Sequence, residues 1–549
     1  MEKRLTARTC TLLLAAALLG CSGGGDDKVQ EDQIAADTQG QDVAPLDQVS
    51  QDQVPQDLLP PDAVGDDLAG SDTPDTSEPE PDIVYDLSIP TFTGVELESA
   101  CADTIESVYG DPGQLPEEKG SVIRCAADGE LTVDDIKGEL QKAGNAGKLV
   151  RSSARVYRVL YRTERGNGQP GYSSALVYLP DAPPAEKMPL VVASHGSRGQ
   201  AAKCAPSMDD PAAQSVRDDF IRQVYPLVGF GFPVIVPDLA GYANFGAQGN
   251  PPSAYASAAD VSKSTLDGAR ALRKLVPSRV TDDIVLTGHS QGGHTALSAL
   301  AALDSYGADG TIKAVVAHAP LWLSQRSWGA VFILADSYPI KTSPVVNAVT
   351  IWYHYTHAEL LDGPDAALEM FPEANREAIK QFVQNDCWAD SYPILETLGK
   401  TLLDVFDPAF YMAVMASAGA GAACPTEDPA MSICQKWMKR YVEDRPHLAG
   451  EAAKVPILVV YGGKDTTIPP DRFQCALDRL VADGVPMTQC FDPEASHGEV
   501  VATQADFVLS WLADQILGID IPVTCPSNEI KLLDVKGNPV KCPSIPPND

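Results

Sequence analysis

Ile284-Val285-Leu286-Thr287-Gly288-His289-Ser290-Gln291-Gly292-Gly293 is the stretch on which the reading of this chain turns. Three apolar residues in a row predict a buried strand, and Ala296, Leu297, Ala299 and Leu300 predict a helix starting within a few residues of its end. Between them stands Ser290, with glycine two places before it and two places after. A strand that turns sharply into a helix strains the backbone at its apex, so the flanking residues must be small. The arrangement lifts a serine hydroxyl above a sheet edge and sets a helix N-terminus beneath it, which favours developing negative charge. Ser290 is therefore the expected nucleophile, and the backbone N–H of Gln291 the expected first donor to an oxyanion.

A serine of this kind needs an acid and a base, and they follow it in chain order as acid, then histidine. The chain has 8 histidines, and His497 is the one that lies beyond a suitable acid. That acid is Asp465, in the loop after the apolar run Ile457 to Tyr461. His497 stands in Glu494-Ala495-Ser496-His497-Gly498, between a short strand and a helix starting near Glu499. His289 and His294 flank the elbow and are read as local packing groups, and His447 precedes Asp465 and breaks the order. His354 and His357 have helical spacing, but no carboxylate or cysteine set stands beside them to complete a metal site. The chemistry calls for no cofactor and no metal.

Strands are expected at Arg155–Tyr161, Ser174–Leu179, Leu190–Ser194, Pro233–Val236, Ile284–Thr287, Ile312–Ala317, Ile457–Tyr461 and Met487–Phe491. Helical patterns separate the later ones, as in Val261, Leu266, Ala269, Leu272, Leu275 and Val276. Such alternation implies an α/β fold with a mostly parallel sheet, right-handed crossovers and helices on both faces. Ligands bind at the C-terminal ends of the strands in such sheets, and Ser290, Asp465 and His497 all map there. From about 321 to 454 the strand signal stops and aromatic-rich helical segments replace it, so a helical cap inserted after the sixth strand is expected.

The N-terminal part carries a different message. Lys3, Arg4 and Arg8 precede the apolar run Leu12 to Leu19, which is too short to span a bilayer and reads as a signal peptide over residues 1–20. Leu18-Leu19-Gly20-Cys21 looks like a bacterial lipobox, which implies lipidation of Cys21. Ser22, rather than aspartate, after Cys21 resembles an outer-membrane address. From 21 to 95 an acidic, disordered tether is expected. Aspartate recurs every fifth residue from Asp27 to Asp72, a period that suits neither helix nor strand. Ser22 to Asp82 holds 17 acidic residues against one lysine, within a chain of net charge −34. Such a segment cannot bury enough apolar surface to order itself, and 60 flexible residues reach about 40 Å. The acidity excludes nucleic acid as a partner and electrostatic adhesion to anionic lipid. An exported, lipid-anchored monomer at the bacterial outer membrane or cell surface is expected.

Of 12 cysteines, Cys10 leaves with the signal and Cys21 takes lipid, so ten remain. An even set in an exported chain points to disulfides. Proximity in sequence favours Cys475–Cys490 and Cys525–Cys542, then Cys424–Cys434 and Cys101–Cys125, with Cys204–Cys387 pinning the cap and 519–549 forming a disulfide-closed tail.

From Val156 to Trp511 the chain resembles the secreted lipases and esterases typified by Candida antarctica lipase A. The likeness rests on Cys204-Ala205-Pro206-Ser207, on Gly231-Phe232-Pro233-Val234-Ile235-Val236-Pro237-Asp238, on Asp267-Gly268-Ala269-Arg270-Ala271-Leu272, on the elbow and on the two later loops. It implies an α/β-hydrolase fold over residues 96–549 with a helical cap, and a small-molecule or lipid ester as substrate. The His195-Gly196-Ser197 turn departs from the family pattern, and Ser197 or Gly196 is the expected second oxyanion donor. Two other classes share these residues: a serine peptidase of the same fold, and a surface binding protein with a relic site. No propeller-like repeat precedes the core to favour the peptidase, and an ordered triad argues against a relic.

Overall fold

The structure, a computed structural model, describes Leu97 and residues 101–208, 220–243, 245, 250–322, 325–388, 391–417, 424, 429–468, 470–534 and 536–542. The expected signal peptide, Cys21 and the acidic tether lie outside the described residues.

Nine strands form one sheet: β1 (Val122–Leu131), β2 (Ala154–Glu164), β3 (Pro170–Pro180), β4 (Met188–Ser194), β5 (Val234–Pro237), β6 (Val280–His289), β7 (Thr311–His318), β8 (Ile457–Gly462) and β9 (Met487–Asp492). Their order is β1-β2-β3-β5-β4-β6-β7-β8-β9. The first three strands and the β3–β5 pair are antiparallel, and the remaining pairs from β5 through β4 to β9 are parallel. All eight expected strands are present. The ninth, β1, was not expected; its Arg124, Asp128 and Glu130 break any apolar pattern, and pairing with β2 supplies what local propensity lacks. The helical insertion consequently follows the seventh strand in the chain.

In the central strands alternate residues enter opposite cores. Leu190, Val192, Ile284, Leu286, Val315, Ala317, Ile457 and Val459 face one side. Val191, Ala193, Val285, Ala314, Val316, Leu458 and Val460 face the other. Both faces are covered, which is why these strands read as unbroken apolar runs. Helices α1 (Ala258–Leu275) and α2 (Gln291–Ala301) pack on the first face, and α10 (Ala505–Leu512) on the second.

Every regular element described between β7 and β8 is helical: α3 (Gln325–Ile333), α4 (Pro344–Leu361), α5 (Glu373–Asn385), α6 (Ser391–Leu398), α7 (Pro408–Ser417) and α8 (Pro429–Glu443), with short turns between. Their aromatic residues join the core of the first face; Trp352, for example, stacks on Phe382 at 5.6 Å. Asp444, just past α8, ties the insertion down. Its carboxylate accepts from Tyr353 Oη (2.6 Å), His357 Nε2 (2.7 Å) and the Ala258 amide at the start of α1 (2.9 Å). Its carbonyl oxygen lies 2.7 Å from His294 Nε2 in α2. His354 is likewise engaged at both ring nitrogens, by the Thr350 carbonyl and Tyr441 Oη.

Disulfides join Cys101–Cys125, Cys204–Cys387 and Cys424–Cys434, as expected. The other two differ from expectation: Cys475 pairs with Cys542 and Cys490 with Cys525. Sequence proximity lost to topology. Cys475 sits in α9 (Pro470–Ala482) against Trp322, whereas Cys490 in β9 points into the core of the opposite face. The C-terminal tail passes along the outer edge of β9, where Ser527 bridges Phe491 and the Ile530 amide donates to Gln489 Oε1, and so meets each cysteine in turn. Among the described residues no helix is long and apolar enough to cross a membrane.

Candidate active site

Ser290 stands at the junction of β6 and α2 with φ 56° and ψ −118°. A non-glycine residue there carries strain of order 1–3 kcal/mol, which surrounding contacts must hold. They do so from β7: the Ser290 amide donates to the His318 carbonyl at 2.9 Å, and the Leu321 amide to the Ser290 carbonyl at 2.9 Å. The glycine requirement is steric. A Cβ on Gly288 would run into the Gly292 carbonyl, and one on Gly292 into the Ser194 carbonyl at the end of β4. Ser290 is 8% exposed, at the rim of the sheet.

Asp465 lies in the turn after β8. Its Oδ1 accepts from the Thr467 and Ile468 amides at 2.8 and 2.9 Å, and its Oδ2 accepts from His497 Nδ1 at 2.7 Å. The carboxylate is wholly buried and the imidazole 12% exposed. The carboxylate thus fixes the Nδ1–H tautomer and leaves Nε2 as the proton acceptor. The two loops approach closely because Gly462 and Gly463 allow it; the Lys464 amide donates to the Ala495 carbonyl at 3.0 Å. Downstream, Glu499 accepts from the Ser496 amide at 2.9 Å.

His289 does more than pack locally. Its Nε2 lies 3.0 Å from the His497 carbonyl oxygen, and the two rings sit 4.5 Å apart. The residue before Ser290 therefore supports the loop that carries His497, tying the elbow to the Asp465–His497 pair. No sequence signal marks this contact, which spans 208 positions.

α2 begins at Gln291, so the Gln291 amide belongs to a first helical turn whose N–H groups lack intrahelical acceptors. Beside it runs the loop after β4, where Ser197 Oγ meets Tyr255 Oη at 2.7 Å. That loop is anchored from below by Asp238. Its carboxylate accepts from Ser174 Oγ (2.5 Å) and the Ser207 amide (2.7 Å), and also bonds Ser207 Oγ. Burial pushes the Asp238 carboxyl up and the His195 imidazole down. From above, the insertion clamps the loop through Cys204–Cys387 and a hydrogen bond from the Trp388 amide to the Arg198 carbonyl at 3.0 Å.

A strained serine between strand and helix, with an aspartate–histidine pair on loops after two later parallel strands, defines the α/β-hydrolase architecture. The match of residues 191–510 to the alpha/beta hydrolase family shows that the chain belongs to that family. Among solved structures it is similar to a Legionella pneumophila protein described as a hydrolase, at 18% identity and TM-score 0.55 over 72% of this chain and 98% of that one. It is also similar to the rice cell wall degrading esterase LipA of Xanthomonas oryzae, at 16% identity and TM-score 0.53 over 73% and 99%. Candida antarctica lipase A aligns at 16% identity and TM-score 0.54 over 78% and 91%. At these identities the likeness is one of fold. No curated protein matches the chain.

Proposed function

We propose that the chain is a carboxylic ester hydrolase acting through an acyl-enzyme on Ser290. The observation that carries the reading is the buried Asp465–His497 pair, held at 2.7 Å and joined through His289 to the strained Ser290 elbow. His497 Nε2 takes the Ser290 proton as Oγ adds to the ester carbonyl. The Gln291 amide and the Ser197 loop stabilise the oxyanion, and the protonated His497 then delivers its proton to the departing alcohol. Water repeats the sequence to release the acid. An ester is favoured over a peptide because two of the proteins of like fold are described as an esterase and a lipase. The substrate proposed is a small-molecule or lipid ester, with the aromatic helices of the insertion joined to the Ser197 loop through Cys204–Cys387.

The test is labelling with a fluorophosphonate probe alongside hydrolysis of p-nitrophenyl esters of increasing chain length. Parent protein should be labelled and active, and Ser290→Ala neither; an active Ser290→Ala protein defeats the reading.

The lipobox-like Leu18-Leu19-Gly20-Cys21 and the acidic segment after it support a further part of the reading, that the enzyme is exported and anchored through lipid on Cys21. Stable anchoring takes more than one acyl chain, which lipoprotein maturation supplies. Cys21→Ala should move the protein from the membrane to the soluble fraction; retention through a high-salt wash contradicts the anchor.

A further inference from the structure

Tyr255 is buried (1% exposed) and lies outside every motif of the elbow or the triad loops. Its amide donates to Thr356 Oγ1 at 2.9 Å and its ring packs at 5.9 Å from Trp352, so α4 of the insertion fixes it. Its hydroxyl is 2.7 Å from Ser197 Oγ. Ser197 follows closely on the part of the chain that touches the elbow: a Cβ on Gly292 would meet Ser194 carbonyl atoms, and would stand 2.8 Å from the His195 oxygen. The space between this loop and the first turn of α2 is where an oxyanion on Ser290 would form.

Of two hydroxyls sharing one short contact, the more acidic is the better donor. A phenol is acidic near pH 10 and an aliphatic alcohol far less so. With Tyr255 Oη–H as donor and Ser197 Oγ as acceptor, the arrangement a phenol favours, the Ser197 hydrogen is left to donate onward. Burial pushes the Tyr255 phenol up and keeps it protonated. A hydroxyl that accepts one hydrogen bond becomes a better donor of the next.

We propose that the Ser197 hydroxyl is a side-chain donor to the oxyanion, in addition to the backbone amides, and that Tyr255 is the positioning residue that aims and polarises it. This rests on the ester-hydrolase reading. It also gives the helical insertion a direct part in the chemistry, since α4 holds Tyr255.

The test is a double-mutant cycle on the full chain with p-nitrophenyl acetate, using Ser197→Ala, Tyr255→Phe and the pair. Loss of an oxyanion donor lowers kcat about 100-fold, so Ser197→Ala should do that with KM within about twofold. Tyr255→Phe, which removes one oxygen from a retained ring, should lower kcat about fivefold with KM unchanged. The double variant should be no slower than Ser197→Ala, because Tyr255 acts only through Ser197. Near-UV circular dichroism should match the parent for each; if Tyr255→Phe does not fold, Ser197→Ala alone decides. A Ser197→Ala kcat within twofold of the parent, or losses that multiply in the double variant, overturns the proposal. Activity surviving in Ser290→Ala would instead defeat the ester-hydrolase reading on which it stands.

Discussion

Asp465→Asn removes a charge while keeping nearly the same shape, and the geometry dictates which way the new amide turns. Oδ1 now accepts from two backbone amides, and Oδ2 accepts from one imidazole N–H. Placing the carboxamide NH2 against Thr467 and Ile468 would set donor against donor twice, whereas placing it against His497 does so once. The oxygen therefore stays with the turn, and the NH2 faces Nδ1. His497 answers by moving its proton to Nε2, the atom that must accept from Ser290. The base is lost while the fold is kept. The same tautomer error in a serine protease lowers kcat about 10⁴-fold, or about 5.4 kcal/mol at 1.36 kcal/mol per decade. Steady-state hydrolysis of p-nitrophenyl acetate with an active-site titrant measures it, and a thermal melt should place Tm within about 2 °C of the parent because the turn's acceptor survives. A kcat within tenfold of the parent, in a protein that Ser290→Ala inactivates, refutes the reasoning.

His289→Ala should lower kcat about tenfold with little change in KM, because the His497 loop loses one hydrogen bond and a ring contact; unchanged kinetics would return His289 to a packing role. Asp444→Asn should destabilise the protein by roughly 2–4 kcal/mol at pH 7, since a buried acceptor of three hydrogen bonds loses its charge. Burial raises the Asp444 carboxyl, but His357 and its hydrogen bonds hold it below the ordinary value overall. A depressed carboxylate stabilises above its unfolded pKa and loses that contribution as pH falls through the folded value. The parent–variant gap in urea midpoint should therefore close below about pH 4; a gap that widens in acid contradicts the sign. Non-reducing peptide mapping should recover Cys490–Cys525 and Cys475–Cys542, and a Cys475–Cys490 peptide would contradict the observed topology.

The parts of this molecule that can be read from its residues are those where one face or one turn dictates the choice. The parallel strands are apolar on both faces, so Leu190 to Ser194 and Ile457 to Tyr461 stand out without help. Ser290 stands out because only glycine fits at 288 and 292. Where distant chain decides, sequence is silent. β1 is an edge strand carrying Arg124, Asp128 and Glu130, and β2 makes it a strand, through the ladder and through Arg158, which pairs with Asp128 at 2.9 Å. Loop-closure entropy favours short disulfide loops, but it cannot know that α9 and the inner side of β9 address opposite faces of a sheet. His289 and Tyr255 look like ordinary aromatic residues until a partner 208 or 58 positions away is brought against them.

The strap formed by the C-terminal tail has a consequence for the order in which this chain matures. β9 is the last strand of the sheet, and Ser527 to Ile530 occupy the edge it would otherwise expose. A chain that emerges N-terminus first completes all nine strands by Asp492 and still carries two unmatched thiols, Cys475 and Cys490. Their partners arrive only with Cys525 and Cys542. Until then the edge is open to pairing with a neighbouring molecule, and each thiol is open to exchange with a disulfide of another molecule. The closing of the strap thus acts as a checkpoint: a product shortened before Cys525 holds Ser290, Asp465 and His497 and yet leaves a reactive edge and two reducing groups, the features by which a disulfide isomerase or a protease would tell it from the finished protein.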